Sequence, residues 1–165
     1  MRTLEFFFDY ACPYCRKGYN DFTELIPEYP DIEVVWRPCE AHPRPEVYGR
    51  YSDLCVQAFL FADGEGAVNN AFHTKVYAAA LDGAVDIENP EDIAQVAGGK
   101  APEFLAAIKA QKYAQAVLDC NDYAYEENGV WYLPAFRMDG RKLDSEGGVG
   151  VSREALKNFL EGEGT

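Results

Sequence analysis

Residues 3–15, TLEFFFDYACPYC, constrain this chain more than any other stretch: an apolar run is followed by two cysteines, and a new pattern begins between them. TLEFFF is short and rich in aromatic and β-prone residues, so it reads as a buried strand. From Pro13 to about Pro27, Tyr14, Phe22, Leu25 and Ile26 fall near helical spacing, with Pro13 tolerated in a first turn. Gly18 weakens that helix. After the turn signal EYPD, residues 31–37 (DIEVVWR) read as a second strand. A β-α-β unit of this kind implies parallel strands joined by a right-handed crossover.

Three prolines between residues 38 and 45 make PCEAHPRPEVYGRY a loop. From Ser52 to about Lys112 the pattern turns helical. Ser52 is a candidate N-cap for SDLCVQAFLFADGEG. AVNNAFHTKVYAAALD follows, then NPEDIAQVAGG with Asn89 as cap and Pro90 in the first turn, then APEFLAAIKA. KYAQAVLDCNDYAYEENG reads as a longer helix that stops at Asn128-Gly129. LPAFRM (133–138) and RKLDSEG (141–147) flank Asp139-Gly140, a strong hairpin signal. A last helix, capped by Ser152, precedes an acidic, glycine-rich tail, EGEGT. The order is β-α-β, a helical block, then β-β-α.

Cys12 and Cys15 admit three explanations at this point: a redox pair, half of a metal site, or two buried thiols. A thiol becomes a useful nucleophile as its thiolate, and a helix N-terminus supplies partial positive charge and free N–H groups that favour that state. Strand, Cys-x-x-Cys and helix in succession put Cys12 at that position. Arg16 and Lys17 add to the expected positive potential, and Cys15, one turn on, is spaced to reach a sulfur bonded to Cys12. Pro13 stiffens the loop and Tyr14 offers an aromatic surface. The metal reading joins CPYC to CEAH (39–42), a ligand spacing acceptable for zinc. Pro38 and Pro43 constrain that loop against it, and no metal is the expectation.

Acidic residues number 28 against 15 basic ones, and the formal charge of −13 disfavours nucleic acid and anionic membrane surfaces as partners. No apolar run is long enough for a membrane span. With Met1 taken as the native start, the expected location is the cytoplasm, where structural disulfides are rare. Cys39, Cys55 and Cys120 then read as small buried hydrophobes.

Far down the chain, GVWYLPAF sets Leu133 and Pro134 at a strand start, where an ordinary trans proline fits a sheet poorly and a cis bond resolves the difficulty. FFFDYACPYC, EVVWRPCEAHP and NGVWYLPAFRMDG together resemble the DsbA-family, FrnE-like branch of the thioredoxin superfamily, in which a helical domain interrupts the fold. The resemblance implies an α/β, thioredoxin-like fold with residues 1–45 and 128–165 as the core and 46–127 as an inserted all-helical subdomain. It implies a protein-disulfide oxidoreductase, with Cys12 the attacking thiolate and Cys15 the resolving thiol. Pro13, Tyr14, Leu133, Pro134 and Trp131 border the substrate groove in that reading. Partners are protein or small-molecule thiols and disulfides, with no cofactor beyond glutathione as a co-substrate.

Two departures from the resembled pattern stand out. Thioredoxins carry an acid six positions before the first cysteine, where this chain has Phe6. Asp9 is the nearest substitute as a proton acceptor, and a helix cap is its alternative role. Cys39 and His42 replace a more usual Phe and amide; His42 is a loop residue near the dithiol with a proton-shuttling or tuning role open to it. His73 reads as surface or partly buried and structural. Phe59, Phe61, Phe72, Tyr77 and Phe104 read as core, and Tyr48, Tyr51 and Trp131 as candidates for a cleft wall.

Rival functions remain at this level. CPYC is also a glutaredoxin motif, on chains that are shorter and lack the helical block. The kappa-class glutathione transferases and chromene carboxylate isomerases share the interrupted fold, but generally carry serine in place of the first cysteine. A binding module with vestigial cysteines is the non-enzymatic alternative.

Overall fold

The computed structural model describes residues 1–162; residues 163–165 of the acidic tail lie outside the described residues. Strand β1 (Arg2–Phe8) runs into a short turn, helix α1 (Pro13–Leu25) and strand β2 (Ile32–Pro38). Helices α2 (Asp53–Gly64), α3 (Asn70–Leu81), α4 (Pro90–Ala94), α5 (Ala101–Lys109) and α6 (Ala114–Asp122) follow. The chain then returns through β3 (Ala135–Met138), β4 (Arg141–Asp144) and α7 (Arg153–Glu161). The four strands form one sheet in the order β2-β1-β3-β4, with β1 and β2 parallel and the other two pairs antiparallel. This is the thioredoxin-like arrangement expected from the sequence.

β1 is central, and Leu4, Phe6, Phe7 and Phe8 are all buried because both faces of the sheet are covered. Phe6 packs edge-on to Phe22 of α1 at 5.5 Å and to Phe136 of β3 at 4.5 Å between ring centres, whereas Phe7 stacks on Tyr123 at 5.9 Å. The β3–β4 hairpin turns on Asp139 and Gly140, whose φ values of 54° and 74° suit the tight turn that Asp-Gly favours. Asn69, Asn89 and Ser152 cap α3, α4 and α7 through their side chains.

Four local expectations change. The long helix after Lys112 is α-helical only to Asp122; Tyr123–Glu127 widens into a π turn before Gly129, at φ 60°, ends it. β3 starts one residue after Pro134. Ser52 precedes α2 but makes no capping bond. His73 is not near the surface: it is 1 % exposed, at the centre of an aromatic cluster that joins the sheet to α2 and α3. Its ring lies 4.4 Å from that of Trp36, and Nδ1 shares a 2.8 Å hydrogen bond with the Tyr10 hydroxyl. Burial pulls its pKa down to about 4, so it is neutral at physiological pH.

Candidate active site

Cys12 is the N-cap of α1, with extended backbone angles (φ −102°, ψ 115°), and Pro13 supplies the first helical residue. A proline there loses nothing, because that N–H has no partner inside a helix. The Cys15 N–H lies 3.4 Å from Cys12 Sγ, and the two cysteines approach to 3.2 Å as free thiols. Cys12 is partly exposed and Cys15 fully buried.

The surroundings separate the two thiols chemically. A hydrogen bond from the Cys15 thiol lowers the Cys12 pKa, and the N–H groups of Cys15 and Tyr14 lower it further against the cost of burial. Burial pushes Cys15 well above the usual thiol range, and a neighbouring charge on Cys12 adds to that. The expected help from Arg16 and Lys17 is absent: their heads are held by Asp82 and Asp21, each at 2.7 Å. The stabilising field at Cys12 is made of hydrogen-bond donors at a helix start.

Asp9 does not cap α1, because Cys12 occupies that position. Its carboxylate is 3 % exposed and accepts from Ala11 N (2.8 Å), Ala41 N (2.7 Å) and Ser52 Oγ (3.0 Å). The Ser52 hydroxyl, unused for capping, is spent here. Burial raises the Asp9 pKa and those three donors pull it back. Its own backbone N–H points at Cys15 Sγ from 3.4 Å, and a charge on its carboxylate raises both active-site thiols.

Leu133 O lies 3.9 Å from Cys12 Sγ, and the Leu133–Pro134 bond is cis. Pro134 is buried against α1. A Cβ on Gly18 would stand 3.0 Å from Pro134 Cγ, so the glycine that weakens the helix is the one that lets the proline approach. Ser145 Oγ donates to Pro134 O and fixes the opposite side.

A cleft of about 580 Å³ opens over Cys12 and brings together Asp9, Pro13, Tyr14, His42, Trp131 and Leu133 from the sequence-derived set; Cys15 and Pro134 are buried and do not line it. Trp131, 80 % exposed, and Tyr48 stand on its walls. Tyr51 is turned away, donating to Glu46 O with Arg44 over its ring. His42 is exposed, and its Nδ1 lies 3.0 Å from Glu46. Arg50, which sequence reasoning missed, is the cation of this cleft, held by Val85 O and Asp86.

The loop 145–150 was also missed, although its glycine density, SEGGVG, was a visible signal. Tyr14 donates to Gly148 O at 3.1 Å, a Cβ on Gly150 would meet Tyr14 Cβ at 3.1 Å, and one on Gly147 would meet the Tyr132 ring at 2.9 Å. The loop has to be glycine for two tyrosines to lie on its backbone. Cys39 is buried, its thiol directed to Phe8 O, and Cys55 is buried in α2. Among the described residues no three His, Cys, Asp or Glu side chains are grouped to hold a metal ion.

A sequence model of the DSBA-like thioredoxin domain matches residues 3–161. The uncharacterised protein YwbO of Bacillus subtilis is 23% identical, over 94% of this chain and 96% of its own. A probable DsbA oxidoreductase from Streptomyces coelicolor superposes with a TM-score of 0.73 at 17% identity, covering 100% of this chain and 92% of the other. DsbA of Pseudomonas aeruginosa gives 0.69 at 20% identity, over 97% of this chain and 80% of its own. These structures share the fold; the match over nearly the whole sequence goes further, and the chain belongs to the DSBA-like thioredoxin domain family, a family of thiol-disulfide oxidoreductases.

Proposed function

We propose that this protein exchanges disulfides through Cys12 and Cys15, acting on protein or small-molecule thiols and disulfides in the cleft above Cys12. The observation that carries the reading is the asymmetry of the pair: an accessible thiol with a lowered pKa at a helix start, 3.2 Å from a buried thiol with a raised one. In the reductive direction the Cys12 thiolate attacks one sulfur of a substrate disulfide. A new S–S bond forms as the old one breaks, and the leaving thiolate takes up a proton. Cys15 then loses its proton and attacks Cys12 Sγ, closing the intramolecular disulfide and expelling the second substrate thiolate. Two electrons pass from dithiol to substrate, and the reverse sequence oxidises a substrate dithiol.

Cys15 needs a proton acceptor for its attack. Asp9 is our assignment, supported by its burial, its raised pKa and its contact with Cys15 through the backbone. The Leu133 backbone beside Pro134 suits an extended substrate segment, with Trp131, Pro13 and Tyr14 bordering it. Arg50 on the cleft wall suits a carboxylate of glutathione as a co-substrate. Three further free thiols, Cys39, Cys55 and Cys120, suit a reducing, cytoplasmic compartment.

The test is equilibration in glutathione redox buffers, followed by acid quench, alkylation and mass spectrometry, with a zinc assay alongside. A reversible Cys12–Cys15 disulfide is expected, Cys12→Ser abolishing exchange and Cys15→Ser accumulating a mixed disulfide. Exchange that survives Cys12→Ser, or stoichiometric zinc on the thiols, overturns the reading.

A further inference from the structure

Strand β2 is an edge of the sheet, and the groove beside it is separate from the cleft over Cys12. The Cys39 N–H donates to Phe8 O at 2.8 Å, which fixes the direction of every peptide group along β2. In a parallel ladder alternate residues turn N–H and C=O to the neighbouring strand. Residues 33, 35, 37 and 39 therefore face β1, while Val34 and Trp36 present both groups to the open side. No hydrogen bond among the described residues satisfies them; the Ile32 N–H is taken by Tyr29 O, and Pro38 has no N–H. The open edge thus offers two donors and two acceptors repeating every two residues, roughly 7 Å, which is the spacing on a partner strand.

This edge forms the floor of a groove of about 580 Å³. Leu60 and Asp63 of α2 line it on one side, and Asp119 and Glu127 on the other. Its one cation, Arg37, is turned aside: the guanidinium is 2.7 Å from Glu5 and stacks 4.4 Å over the Tyr123 ring. Flanking helices bar a flat sheet from docking there but leave room for a single extended segment. Three exposed carboxylates against one neutralised guanidinium select a basic one.

We propose that this groove is an exosite in which a basic, extended segment of a protein substrate adds to β2 as a further strand. The proposal rests on the disulfide-exchange reading for its use but not for its geometry. Three residues past the end of β2, Ala41 lines the cleft that holds Cys12, about 10 Å of chain away. A segment seated along β2 therefore leaves its own continuation close to the dithiol, and tethering raises the local concentration of any cysteine it carries. Pro38 ends the available edge, so pairing is confined to Val34 and Trp36 and runaway edge association is limited.

The experiment uses a disulfide-bonded peptide substrate with no tail, with a Lys-Val-Lys-Val-Lys-Val tail on a Gly/Ser linker, and with a Glu-Val tail. The basic tail is expected to lower KM about tenfold, with the gain shrinking as salt rises, and the acidic tail to give none. Val34→Pro removes one outward donor while leaving the β1 ladder intact, and should collapse the ratio of KM with and without the tail; Asp119→Lys should do the same by charge. Protection of the Val34 and Trp36 amides from exchange by a basic tail lacking any disulfide reads binding independently of turnover. No tail effect on KM or on those amides, or a gain that survives both variants, overturns the exosite. Failure of the tail-less substrate to turn over, with amide protection intact, strikes the disulfide-exchange reading instead.

Discussion

Gly18→Ala separates local from tertiary control of this fold. Helix propensity alone makes it stabilising, because Ala gains about 1 kcal/mol over Gly inside a helix. The structure opposes that gain. The added Cβ would stand 3.0 Å from Pro134 Cγ, closer than such atoms normally approach, and in ordinary contact at 3.7 Å with its Cβ. Pro134 has little room to retreat, being buried and held from behind by Ser145 and the start of β3. Overpacking of a tight site costs about 1–3 kcal/mol, so the variant should lose about 1 kcal/mol net. In a chain of this size that is a fall in Tm of about 2–4 °C. Any shift of Pro134 also moves Leu133 O, now 3.9 Å from Cys12 Sγ, so exchange activity should fall with stability. Urea unfolding and turnover of the tail-less disulfide peptide supply the two readings, with exposed Asn20→Ala in the same helix as a control that should gain about 0.5 kcal/mol. Gly18→Ala matching the gain of the control with full activity would refute the claim that this glycine exists for the proline.

Three further outcomes follow from the same geometry. Asp9→Asn removes a negative charge that disfavours the thiolate, so the pH profile of Cys12 alkylation should move to lower pH; an unmoved profile means that Asp9 carries no charge there. The same change sets an amide against Ala41 N and Ser52 Oγ and should cost about 1–3 kcal/mol in urea unfolding. His73 has a folded pKa lowered from 6.5 to about 4, so its contribution to stability is present above pH 6.5 and is lost as pH falls through 4. That window is worth about 3 kcal/mol, and the fall in the urea midpoint between those pH values should flatten in His73→Asn. Trp131→Ala should leave stability within about 0.5 kcal/mol, because the ring is 80 % exposed, yet raise KM for peptide substrates several-fold; an unchanged KM removes Trp131 from the cleft's binding wall.

Much of the architecture was legible before any coordinates. Strands, helices and hairpin follow from patterns a few residues long: TLEFFF before Cys12, the caps Asn89 and Ser152, and Asp139-Gly140 at the turn. These signals are local, since a cap reaches two or three residues and a turn type is set by its own dihedrals. Placement of the cysteine pair at the α1 start belongs to the same class, as does the division of the sheet by a block of helices. Pro134 was legible for a different reason, because a proline at a strand start is itself an anomaly.

What the tertiary structure decided concerns polar groups and glycines whose partners are far away in the chain. Ser52 looked like a cap, but its hydroxyl is drawn to a buried carboxylate 43 residues earlier, where an unsatisfied acceptor would cost more than a missing cap. His73 sat in a plain helical pattern, and only packing of α3 on the sheet put its ring between Trp36 and Tyr10. Arg16 and Lys17 looked like electrostatic support for Cys12 until Asp82 and Asp21 were found holding them. Gly18 looked like a weak point in a helix and is instead the contact surface for Pro134, while the glycines of 145–150 are seats for Tyr14 and Tyr132. Sequence spacing thus placed two thiols together at the start of α1. Their inequality, one exposed at a helix start and one buried against it, comes from desolvation and hydrogen bonding, which exist only once the chain has packed.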